Sequence, residues 1–96
     1  MATNVPLSCV DIMSQLDALS KEYSDLLTGA SEAKVSVLRY NGGHDKLVKM
    51  LERLEALEAP IRGMDEISAK EQANKLLTCL ANAITSSLYY PTHHMQ

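Results

Sequence analysis

The sequence predicts an all-α fold: an antiparallel three-helix bundle with a long first helix, or four helices if Gly29 breaks the first. Two observations carry that prediction. Apolar residues recur three and four positions apart through three separate stretches, which places each set on one helix face. Aromatic residues are scarce, four tyrosines with no Phe and no Trp, so a core must be built from Leu, Ile, Val, Met and Ala. That palette suits helices better than a β-sandwich. At 96 residues the chain makes one domain, and its 46% apolar content is that of a globular one.

The first helix is expected over about 8–40. Cys9, Ile12, Leu16, Leu19, Tyr23, Leu26, Ala30, Ala33, Val37 and Tyr40 follow at alternating steps of three and four, a single heptad seam. Ser8, with Asp11 three residues on, supplies the start: its hydroxyl takes an orphan amide and the carboxylate faces the positive helix end. Thr28-Gly29 reads as a stop, but the register runs through it without a slip. An interior glycine costs only about 1 kcal/mol relative to alanine, which seam burial outweighs. Val35 to Arg39 alternates like a strand, yet no partner strand is visible.

"YNGGHD", residues 40–45, separates this seam from the next. A Walker-type phosphate loop needs a different glycine spacing after a strand, and an Asn-Gly hairpin needs strands on both sides. The stretch therefore reads as an interhelical corner, with Asn41 and glycine taking left-handed conformations and Asn41 or Asp45 capping the next helix.

The second helix is expected over about 44–59. Its seam is Leu47, Met50, Leu54, Leu57 and Ile61, widened by Val48 and Leu51. Lys49, Glu52, Arg53, Glu55 and Glu58 form a polar face, and Pro60 should end the helix near Ala59. The third, over about 65–89, starts near Asp65 or Ser68, where Ser68 and Glu71 match a capping box. Ala73, Leu76, Leu77, Leu80, Ala83, Ile84 and Leu88 give it an apolar stripe wide enough to face two neighbours. Pro91 should close it, leaving 91–96 as a flexible tail.

Charge and motif content narrow the function. Net charge is −3 and no Lys/Arg run exists to neutralise phosphates, so nucleic acid is not an expected partner. No apolar run approaches the roughly 20 residues of a membrane span. "MATNVPLSCV" lacks both a basic and an apolar signal region, and Cys9 and Cys79 stand without CxxC spacing. Two isolated, buried, reduced thiols point to a cytoplasmic or nuclear protein, the cytoplasm being the expected location.

No cofactor, metal or catalytic residues are assigned. His44 and Asp45 are the one neighbouring acid–base pair, but adjacent helical residues point about 100° apart. A metal-binding or catalytic protein using His44, Asp45, His93 and His94 stands as an alternative, although a tail after a proline does not preorganise ligands. Glu52, Glu55 and Glu58 share an exposed face that is either solvated or receives a basic partner. Tyr89 and Tyr90 are of the type enriched in interface anchors.

Helix lengths then suggest a role. At 1.5 Å per residue the first helix would reach about 48 Å, the second about 22 Å and the third about 35 Å, so two companions cannot cover the first. The leading expectation is a small non-enzymatic interaction module, an adaptor or assembly subunit that buries an apolar helix face against a protein partner or a second copy. Leu16, Leu19, Tyr23 and Leu26 serve the bundle core, that partner or both, and Tyr89 and Tyr90 are either interface anchors or an aromatic plug on the bundle's end.

"LVKMLERLEALEA" followed by "AKEQANKLLTCL" also resembles the last two helices of BAG domains, over about residues 44–84. The resemblance implies a three-helix co-chaperone that binds the ATPase domain of the seventy-kilodalton heat-shock chaperones and promotes nucleotide release. It implies Glu52 or Glu55 as an acidic grip. Lys70 or Lys75 would stand where the family uses an arginine, and lysine cannot reproduce a bidentate fork.

Overall fold

The computed structural model describes residues 8–89. Helices α1 (Cys9–Ala33), α2 (Gly43–Arg62) and α3 (Ile67–Tyr89) run up, down and up, with no strand among the described residues. The all-α three-helix bundle is as the sequence predicts.

Ser8 caps α1 as expected, its Oγ accepting from the Asp11 backbone N–H at 3.1 Å. The heptad register holds through Ala30: Ile12, Leu16, Leu19, Leu26 and Ala30 are buried. The expected extent to residue 40 is not observed, and neither is a break at Gly29. The helix stops at Ala33 because Lys34 turns left-handed, with φ 58°. The Lys34 N–H donates to Ser31 O and the Val35 N–H donates to Ala30 O, both at 3.1 Å. Those two bonds make a Schellman stop with lysine where glycine is usual.

Residues 34–42 then fold back over the helix they leave. Ser36 organises the corner: its carbonyl accepts from the Arg39 and Tyr40 N–H groups, and its hydroxyl accepts from the Leu38 N–H. Val37 and Leu38 are thereby returned to the core from turns, and Tyr40 from a short 3-10 helix (Tyr40–Gly42), instead of from α1, while Ala33 is exposed. Gly29 is the seat of this arrangement. A Cβ there would stand 2.6 Å from the Tyr40 ring, so the glycine is a socket for the ring and not a hinge.

The corner reading of "YNGGHD" is realised closely. Asn41 and Gly42 are both left-handed, with φ 51° and 70°. Gly43 has ordinary helical angles, but a Cβ on it would overlap the Val37 carbonyl oxygen. The two adjacent glycines thus serve different needs, one a backbone angle and the other a close approach. No side chain caps α2, so the roles expected of Asn41 and Asp45 are not taken.

Two further boundaries differ. The second helix runs through Pro60 to Arg62 instead of ending near Ala59, because Ile61 beyond the proline is only 1% exposed. Burying an isoleucine stabilises by about 1.5–3 kcal/mol, comparable to the roughly 3 kcal/mol that an interior proline costs. The third helix begins at Ile67, where the Glu66 carboxylate accepts from the Ala69 N–H at 2.7 Å, in place of the expected Ser68 cap.

With α1 at 25 residues, α2 at 20 and α3 at 23, lengths come to about 38, 30 and 35 Å. No uncovered rod is left over, and the length mismatch that suggested a partner for α1 disappears. Besides the shared core, Tyr23 ties α1 to α3: its hydroxyl bonds Ser87 Oγ at 2.7 Å and lies 3.0 Å from Ala83 O, to which it can donate. Ser87 is 1% exposed, and this bond satisfies its buried hydroxyl.

Candidate functional site

The residues that the sequence offers for partner binding divide sharply. Leu16, Leu19 and Leu26 are at most 5% exposed, so they serve the bundle's own core and present nothing to a partner. Tyr23 is half-buried with its hydroxyl engaged by α3. Tyr89 is 69% exposed, whereas Tyr90, His93 and His94 lie outside the described residues. Cys79 is exposed and Cys9 half-buried, a correction to the expectation of two buried thiols.

His44 and Asp45 do approach each other, with Nδ1 and Oδ1 3.6 Å apart, contrary to the divergence expected of neighbours. Both side chains are more than half exposed and line none of the concavities described below. Among the described residues, no group of three His, Cys, Asp or Glu converges as a metal would require.

Three concavities lined by the described residues bear on function. One, of about 450 Å³, lies between α1, the corner and α2. It holds Glu22 and Asp25 on one wall and Lys46, Lys49 and Arg53 on the other, with Tyr40 above. Opposite charges already meet across it, since Arg53 Nη1 lies 3.0 Å from Glu22 Oε1. That ion pair bridges the two walls with both side chains about half exposed. A second, of about 440 Å³, sits at the end where α1 and α3 begin, against Cys9, Pro60, Met64 and Glu66.

The third, of about 400 Å³, is built wholly by α2 and α3. Its geometry follows from helical periodicity. On α2 the core takes Leu47, Met50, Leu54 and Leu57, which leaves Val48 and Leu51 turned about 100° aside into the groove. On α3 the core takes Leu77, Leu80 and Ile84, which leaves Ala81, Thr85 and Leu88 on the flank towards α2. Small Ala81 and Thr85 keep the α3 side low, so the groove stays open between bulkier neighbours. Tyr89 stands at one end.

The α2 wall carries Glu52, Glu55 and Glu58. None makes an ion pair among the described residues, because Arg53 faces α1 instead. The groove therefore combines an apolar floor, a wall of one charge sign and a neutral opposite wall. The sequence signals were present: Val48 and Leu51 widened the α2 seam, and the α3 stripe was broad enough for two neighbours. What periodicity did not show is that these surplus residues share one groove.

No protein family, curated protein or solved structure matches the chain. Glu52 and Glu55, the acidic residues that the BAG resemblance would use, line the groove, while Lys70 and Lys75 do not. No helix of the described residues is long and apolar enough to cross a membrane.

Proposed function

We propose that this chain is a small non-enzymatic protein–protein interaction module, an adaptor or assembly subunit, that receives a helix of another protein in the outer groove between α2 and α3. One observation carries the reading. Val48, Leu51 and Leu88 are half-buried side chains that flank a groove lined by two helices, with no third helix laid across them among the described residues. An apolar helix face seated there would complete a four-helix arrangement, the usual way an amphipathic helix is recognised. Tyr89 at the groove's end is the aromatic type that anchors such interfaces.

This moves the binding face away from the α1 residues that the sequence suggested and on to α2 and α3. It also removes the argument for self-association through an α1 overhang. Free thiols at Cys9 and Cys79 and a net charge of −3 support a cytoplasmic chain with a protein partner, not a nucleic acid.

Binding of a fluorescent amphipathic peptide, helical with leucine at its a and d positions, tests the reading. The full chain should bind it saturably, and truncating Leu51 and Leu88 to alanine together should weaken binding at least tenfold. Undiminished binding by the folded double variant would remove the groove from consideration.

A further inference from the structure

We infer that the occupant of the α2–α3 groove is a basic amphipathic helix whose cations lie along one flank only; this rests on the docking role proposed above and specifies the partner's chemistry.

The asymmetry of the walls carries the inference. Glu52, Glu55 and Glu58 line the α2 side, while Ala81 and Thr85 line the α3 side and bear no charge. Steps of three residues bring the three carboxylates on to neighbouring positions within two helical turns, spanning about 9 Å. A partner helix lying along the groove meets that span with cations at i, i+3 or i+4, and i+7, all on its α2-facing flank. Its other flank meets methyl and hydroxyl groups, where a charge would lose water without gaining a counterion.

Charge placement elsewhere sharpens the point. Lys46, Lys49 and Arg53 line the α1–α2 concavity, where Glu22 and Asp25 face them. The groove's carboxylates thus have no cation of their own among the described residues, so an incoming one is not competing with an existing pair. Carboxylates of one sign along a low-dielectric floor also raise the local concentration of cationic ligands. The same wall repels a second copy presenting this groove, and it repels phosphate-bearing nucleic acid or anionic lipid.

Three peptides of about 21 residues with one identical leucine face distinguish the possibilities, the α2-facing flank being lysine, glutamine or glutamate. Their affinities for the full chain are read by fluorescence anisotropy. The lysine peptide should bind roughly tenfold tighter than the glutamine peptide, and that advantage should shrink between about 50 and 300 mM salt. The chain carrying Glu52→Lys, Glu55→Lys and Glu58→Lys should invert the order and prefer the glutamate peptide. All three positions are exposed, and circular dichroism checks that the variant keeps its helices. Equal binding of lysine and glutamine peptides, lost on truncating Leu51 and Leu88, overturns the charge inference and leaves the docking face standing. Binding by none of the three overturns both.

Discussion

Alanine at Gly43 should destabilise the protein severely, against every local rule. Gly43 has φ −56° and ψ −40°, ordinary helical angles at which alanine is favoured by about 1 kcal/mol. The added Cβ, however, would overlap the Val37 carbonyl oxygen and stand 2.8 Å from its carbon. Both are backbone atoms, so no rotamer change relieves the overlap. Retreat of the corner would break the His44 N–H bond to Leu38 O, now 3.0 Å, and would lift Tyr40 from Gly29. Overpacking of up to about 3 kcal/mol and one lost hydrogen bond of about 1 kcal/mol exceed the propensity gain. The net cost is about 3 kcal/mol, or a fall in Tm of roughly 12–24 °C. Gly42→Ala is the internal control. Its φ is +70° with open space around the added carbon, so it should cost only about 1 kcal/mol. Urea titrations followed by circular dichroism give both numbers. If Gly43→Ala is as stable as the parent, or if Gly42→Ala is the worse of the two, the close approach of Val37 to α2 is wrong.

Other substitutions probe the same frame. Lys34→Gly should stabilise by roughly 0.5–1 kcal/mol in a thermal melt, because a lysine at φ 58° carries a strain that glycine lacks. Gly29→Ala should be neutral or destabilising in the parent but stabilising by about 1 kcal/mol once Tyr40 is alanine. Additive effects across that double-mutant cycle would mean that the ring does not rest there. Tyr23→Phe should cost about 1–2 kcal/mol in urea, since it deprives buried Ser87 and Ala83 O of their α1 partner.

The bundle itself is legible in the sequence because spacing alone assigns the seams. Positions 12, 16, 19, 26 and 30 are buried as the heptad demands, and so are 47, 50, 54, 57 and 61. What spacing misreads is the stretch 34–40, where Val37 and Tyr40 fit the heptad yet reach the core from a turn and a short 3-10 helix. The stop was silent because Lys34 takes a conformation usually signalled by glycine, and the visible glycine at 29 performs a different task. Pro60 misleads in the opposite sense, being tolerated for the sake of Ile61. At the candidate site, helical spacing puts Glu52, Glu55 and Glu58 on an exposed face, and they are exposed, while Tyr89, open in the sequence to either an anchor or a plug, is exposed too. For Leu16, Leu19 and Leu26 the spacing leaves core and partner both open, because a seam cannot tell whether its cover is the same chain or another; they are buried in the bundle's core. The groove needed coordinates: Val48 and Leu51 on α2 and Ala81 and Leu88 on α3 become neighbours only once the two helices pair.

Chemical-shift mapping of the full chain, titrated with the lysine-flanked peptide, decides whether α2 and α3 form the docking surface. Amides around Val48, Leu51, Glu55, Ala81 and Leu88 should shift together and saturate at one peptide per chain. Shifts gathered instead around Glu22, Tyr40 and Lys49, on the opposite side of α2, would place the partner elsewhere and leave the outer groove without a role.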